Sequence, residues 1–222
     1  MAETILPFKV PYTCQFASRD RVQAFLNGAQ PVESDPHWAD YGAASAHEYA
    51  HWALRSCGVV CVKMAVEALT GNPPEPVMRW VRAGLALDGY LTEIRPDRRD
   101  KPVEKGWKHI ALAELANQRG CHAELAIDLT LNDLAAHLRA RRLVIASVTS
   151  ELGENGPLTR ASGHLVVVIG AVLDEAGQVR EVIVHNPSGR TAALQEAAHI
   201  PAARFGSGFS GRGIILAART AR

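Results

Sequence analysis

The sequence predicts an α+β fold in which an N-terminal helical half packs on a C-terminal, mainly antiparallel sheet. Helix-period patterns with start and stop residues crowd the chain up to about residue 141, and β-rich runs crowd residues 142–218. The two longest of those runs are joined by the short turn "DEAGQ" rather than by a crossover helix. That arrangement favours antiparallel pairing over alternating βαβ units. At 222 residues the chain suits a single domain spanning 1–222, with its helical half at about 16–141 and its sheet half at about 142–218.

The elements follow in order. "SRDRVQAFLNGA" (18–29) reads as a short helix capped by Ser18 and stopped by Gly28. "SAHEYAHWALR" (45–55) reads as a second, ended near Ser56. "CGVVCVKMAVEAL" (57–69) carries Val60, Met64 and Leu69 in a loose apolar stripe and stops at Gly71 before Pro73 and Pro74. "EPVMRWVRAGLAL" and "GWKHIALAELANQRG" supply two more helices, the second closed by Gly120. After the short strand "HAELAI", Thr130 caps a helix over "TLNDLAAHLRAR". The strands "RLVIASV" (142–148), "HLVVVIGAVL" (164–173), "REVIVHN" (180–186) and "GRGIILAA" (211–218) complete the sheet. The polar, glycine-bearing loop 150–163 precedes the strongest of them.

Bulk composition excludes several function classes. Lys plus Arg is 24 against Asp plus Glu at 23, a net charge of +1, so no basic excess points to nucleic acid. The most apolar run, 165–173, is too short to cross a bilayer. The first ten residues lack the basic start and long apolar stretch of a signal peptide, so the expected compartment is the cytoplasm. Cysteines stand at 14, 57, 61 and 121, and in such a chain they read as free thiols, metal ligands or a nucleophile rather than a disulfide framework. Small buried hydrophobes are the simplest reading of Cys14, Cys61 and Cys121.

Two chemistries compete within residues 46–69. His47-Glu48-Tyr49-Ala50-His51 spells HExxH, which binds zinc when both histidines lie one turn apart on a helix and the glutamate polarises a metal-bound water. A third ligand is hard to find: Arg55 and Ser56 stand where the extended motif has Gly and His, and Glu67 lies beyond the helix break. A packed amphipathic helix with Tyr49 and Trp52 inward is the simpler reading, and a structural zinc on Cys57, Cys61 and His51 is a further alternative. No metal or other cofactor is therefore expected.

Cys57 opens the next helix, where unpaired N–H groups and the macrodipole stabilise a thiolate. Gly58 leaves the approach to its sulfur open, and Gly163 borders the same region; both are candidate substrate-binding positions. A nucleophilic thiol needs an imidazole, and the imidazole an orienting group. His164 starts the strongest strand, and Asn186-Pro187 ends the next. In a hairpin about the turn near 176, residues whose numbers sum to about 351 face each other, which brings Asn186 beside His164.

The ordered set Gln, Cys-Gly, Gly-His, Asn-Pro resembles the papain-like cysteine peptidases. The bacteriocin-processing (double-glycine leader) peptidases and their stand-alone bacterial relatives are the nearest group. The matching pieces are "VPYTCQFAS", "DPHWADYGA", "CGVVCVKMAVEAL", "GWKHIALAELANQRG", "GHLVVVIGAVLDEAG", "VIVHNPSG" and "FSGRGIILA". The resemblance implies a papain-like fold with Cys57 as nucleophile, His164 as general base and acid, and Asn186 as orienter. It also implies Gln15, in its PYxxQ context, as the side-chain donor of the oxyanion hole beside the Cys57 N–H, with a long insertion between the two. In the transporter-linked peptidases the glutamine sits six residues before the cysteine, where this chain has His51.

The expected activity is hydrolysis of a peptide or amide bond, the partner a peptide or small amide substrate, with no nucleic acid and no membrane. The same constellation also serves an acyltransferase or amide-forming enzyme, and an inactive peptide-binding module stays open beside it. The loop 150–163, the 15–57 insertion and residues 89–107 are expected to shape the cleft. Arg95, Arg98, Arg99 and Lys101 read first as a solvated loop, with a preference for an acidic substrate as the alternative.

Overall fold

The computed structural model describes residues 3–93, 103–159 and 163–219. The chain opens with β1 (Glu3–Ile5) and runs through a 3-10 turn into α1 (Val22–Leu26), then through two more 3-10 turns to α2 (Ala46–Ala53) and α3 (Cys57–Thr70). Next come α4 (Val77–Ala86), β2 (Tyr90–Glu93), β3 (Val103–Trp107), α5 (His109–Gln118), β4 (Cys121–Ala126) and α6 (Leu131–Arg139). β5 (Leu143–Val148), β6 (His164–Leu173), β7 (Val179–His185), β8 (Ala198–Pro201), α7 (Ala202–Gly208) and β9 (Phe209–Ala218) finish it. Ser45 caps α2 by accepting from the Glu48 N–H, Thr130 and Asp133 form a capping box on α6, and Gly71 ends α3 in the left-handed region.

The main sheet runs β4-β9-β5-β6-β7-β8, with β1 added to the far end of β6, and every pairing is antiparallel. β6 is buried along nearly all its length because it is covered on both faces. Leu165, Val167 and Ile169 join the core built with α3, whereas Val166 and Val168 join the core built with α6 and α7. That alternation is the period-2 geometry of a strand. α3 is the central helix: Val59, Val60, Val62 and Met64 are fully buried against the sheet. The fold is α+β, with helices on a mainly antiparallel sheet, as the sequence predicts.

The structure departs from the sequence reading in three places. β4 lies within the supposed helical half yet pairs with β9 as an edge of the sheet. Gly106 and Trp107, read as a helix start, instead end β3, which forms a hairpin with β2. Trp107 decides this, because its ring packs against Trp52 and Tyr90 and its Nε1 donates to the Arg55 carbonyl at 2.8 Å. Finally, the sequence reading gives no sign of β1, β8 or α7. α7 is short and glycine-bearing, and it is held by the fully buried Phe205 and by Arg204, which donates to the Glu151, Glu154 and Gly156 carbonyls. The basic residues Arg95, Arg98, Arg99 and Lys101 lie outside the described residues. No helix among the described residues is long and apolar enough to cross a membrane.

Candidate active site

Cys57 is the first residue of α3, and its helix lacks a side-chain cap. Ser56, at the capping position, turns its hydroxyl to Tyr41 Oη at 2.6 Å instead. The first-turn N–H groups of α3 are thus left for other partners. Burial pushes the Cys57 thiol above its ordinary value, and the nearby backbone of Leu165, Gly58 and Cys57 itself pulls it part of the way back.

His164 is the first residue of β6 and lines the same cleft as Cys57. Burial lowers the His164 imidazole, and its bond to Asn186 raises it. The His164 ring presents Nε2 to Asn186 Oδ1 at 2.9 Å. The hairpin register brings Asn186 near His164 without setting it directly opposite. β6 and β7 are in register at Val167↔His185 and shift at the bulge near Gly170, so the pairing runs a residue or more past a simple hairpin about 176. Asn186 reaches back because the turn after β7 folds it there. The Asn186 side-chain oxygen accepts the Ser188 N–H at 3.1 Å, and its backbone N–H donates to the Gln195 carbonyl at 2.9 Å.

Cys57, His164 and Gly163 line one cleft of about 390 Å³, together with Leu54, Tyr90 and Trp107. Ser147 and Gly163 also border a second hollow of about 580 Å³ that continues toward Thr149, Leu158 and Phe209. The remaining sequence-derived positions fall elsewhere. Gly58 is buried beneath the cleft; a Cβ there would sit 2.9 Å from Leu112 Cδ1 and 3.2 Å from Trp107 Cβ. Close helix packing, rather than open approach, is what that glycine serves in the fold. Gln15 is buried, with its backbone N–H on the Pro187 carbonyl at 2.8 Å and its Nε2 on the Ala53 carbonyl at 2.9 Å. Gln15 Oε1 has no partner among the described residues.

The HExxH residues are spent otherwise. His47 is exposed and pairs with Glu33 at 2.8 Å, while Glu48 accepts the Ala44 N–H and pairs with Arg82 at 3.3 Å. Glu67 is tied to Lys63 at 2.9 Å in the interior, and Cys61 donates to the Leu165 carbonyl at 3.2 Å. Among the described residues no three His, Cys, Asp or Glu side chains are grouped to hold a metal.

Sequence reasoning overlooked the supporting residues. Tyr12 donates to the Asn186 carbonyl at 3.0 Å and Cys14 to the Pro187 carbonyl at 3.2 Å. Ser188 Oγ lies 3.3 Å from His164 Nε2. "HNPSG" did carry a signal for the last, since Asn-x-Ser is a turn in which the Asn oxygen accepts from the backbone two residues on.

The architecture has counterparts among solved structures. A C39-like peptidase from Bacillus anthracis superposes with a TM-score of 0.51 at 16% identity, covering 75% of this chain and 90% of that one. The peptidase domain of Streptococcus ComA, a bifunctional ABC transporter, gives 0.48 at 15% identity, over 75% of this chain and 93% of that one. A double-glycine-motif protease from a PCAT transporter gives 0.44 at 14% identity, over 74% and 85%. No protein-family model matches the chain, and no curated protein matches it in sequence. The first of these superpositions supports the papain-like fold; the residues of the site must speak for the chemistry.

Proposed function

We propose that this protein is a cysteine peptidase that hydrolyses peptide bonds through Cys57, His164 and Asn186. The observation that carries the reading is the His164 Nε2–Asn186 Oδ1 bond of 2.9 Å at a cleft into which the helix-terminal thiol of Cys57 also opens. Because Nε2 is committed to Asn186, Nδ1 is the ring nitrogen left to exchange protons with the thiol.

The burial shifts on Cys57 and His164 both favour the neutral thiol–imidazole pair at rest. Proton transfer from Sγ to Nδ1 then accompanies attack of the sulfur on the substrate carbonyl. The Cys57 N–H and the second N–H of the Gln15 amide receive the oxyanion. Collapse sends the proton from Nδ1 to the leaving amine and leaves a thioester on Cys57. A water deprotonated by Nδ1 attacks that thioester, releasing the acid and returning the proton to sulfur. Throughout, Nε2–H stays on Asn186, which keeps the ring in the useful tautomer. Two hollows that share Ser147 and Gly163 as lining residues give room for an extended peptide rather than only a small amide.

The test is a defined peptide mixture digested by wild type, Cys57→Ala and His164→Ala and read by mass spectrometry. Cleavage lost in both variants supports the reading. Cleavage that persists in Cys57→Ala contradicts it.

A further inference from the structure

We propose that Ser188 is a second positioning residue for His164, its hydroxyl sharing the proton on Nε2 with Asn186. Its catalytic meaning rests on the proposed peptidase mechanism, but the geometry stands by itself. The Ser188 backbone N–H donates to the Asn186 side chain at 3.1 Å. An N–H can only donate, so the atom it meets is the Asn186 oxygen and not its NH₂. That same oxygen lies 2.9 Å from His164 Nε2, so Nε2 must carry the hydrogen. Ser188 Oγ, 3.3 Å from Nε2, is therefore an acceptor to the same N–H and not a donor to a bare nitrogen. The arrangement is a three-centre bond with Asn186 as the shorter arm.

Two consequences follow from this sharing. Either acceptor alone holds the ring in the Nε2–H tautomer, leaving the Nδ1 lone pair free for the thiol. Both acceptors stabilise the imidazolium formed when Cys57 gives up its proton, so losing Ser188 Oγ makes that state harder to reach.

The experiment is two-bond ¹H–¹⁵N NMR of the His164 imidazole in wild type, Ser188→Ala, Asn186→Ala, the double variant, and Asn186→Ala combined with Ser188→Thr. Thermal melts confirm that each is folded. Asn186→Ala is expected to keep the Nε2–H tautomer, the double variant to show a mixture of tautomers, and the Ser188→Thr combination to restore Nε2–H. Alkylation of Cys57 at neutral pH is expected to slow about fivefold in Ser188→Ala, with its acid limb moved to lower pH because the imidazolium has lost an acceptor. If Asn186→Ala already shows the mixture seen in the double variant, Ser188 has no positioning role. This readout needs no turnover, so absence of peptide cleavage by wild type would overturn the function and leave the positioning result standing.

Discussion

The backbone N–H of Gln15 donates to the carbonyl of Pro187 at 2.8 Å, joining residues far apart in sequence. The oxyanion donor proposed at Gln15 is thereby tied to the turn that carries Asn186. Tyr12 and Cys14 add bonds to the Asn186 and Pro187 carbonyls, and His185 Nε2 meets the Val10 carbonyl at 2.9 Å. Segment 10–15 is thus a strap laid along the end of β7, and it sets two parts of the proposed machinery in one register.

Gln15→Ala should lower kcat by ~10²–10³-fold, the usual cost of losing one oxyanion-hole donor. Alkylation of Cys57, which forms no oxyanion, should keep its wild-type rate. Steady-state kinetics beside iodoacetamide labelling measure both; an unchanged kcat would remove Gln15 from the mechanism.

Gly58→Ala should destabilise the fold rather than block substrate. The added methyl meets Leu112 Cδ1 at 2.9 Å and Trp107 Cβ at 3.2 Å, and the Trp107 ring is already fixed by its neighbours. Overpacking of this kind costs about 1–3 kcal/mol, against a helix-propensity gain of about 1 kcal/mol, so the melting temperature should fall by a few degrees. A raised KM with an unchanged melting temperature would instead point to an open approach at this position.

His185 makes the fold sensitive to acid. Its Nδ1 accepts the Ala197 N–H at 3.0 Å and its Nε2 donates to the Val10 carbonyl, so only the neutral ring fits. Burial lowers its pKa from the ordinary 6.5. A lowered histidine contributes stability that is present above pH 6.5 and lost as the pH falls through its folded value. Thermal stability should therefore drop between pH 7 and pH 5, and the slope should shrink in His185→Gln, which cannot titrate. An unchanged slope would place the acid sensitivity elsewhere, His164 being the next buried histidine.

The HExxH motif should be silent in catalysis. Glu48→Gln removes a surface pair with Arg82 and weakens the start of α2, a change of less than about 1 kcal/mol. Peptide cleavage by this variant, or by wild type after chelation, should match untreated wild type. Loss of activity in either case would make the metal reading the better one.

The strands around the site were legible because their signals are local. β6 is a continuous apolar run, "DEAGQ" turns through Asp174, whose side chain accepts the Ala176 and Gln178 N–H groups at 2.9 Å, and Pro187 ends the next strand. From these alone Asn186 could be set near His164, although the β6–β7 bulges moved the register. The β2–β3 hairpin was not legible, because Trp107 is held by Trp52, Tyr90 and the Arg55 carbonyl, none of them close to it in sequence. Gln15 gave no local sign of its partners, since both Ala53 and Pro187 meet it only in the folded chain. HExxH is a chance match to the zinc signature: Glu48 sits where a helix start wants a carboxylate, which is a local role.

The central claim is that His164 activates Cys57, and the rate of iodoacetamide labelling of Cys57 against pH, in wild type and His164→Ala, tests it most directly. The other thiols should stay quiet near neutrality: burial pushes Cys14 and Cys121 up to about 11 and Cys61 well above its ordinary value. The account predicts a single label at pH 7, absent in Cys57→Ala, and formed at least about tenfold more slowly in His164→Ala, where labelling should climb only in alkaline solution. Identical pH profiles with and without His164 would contradict it.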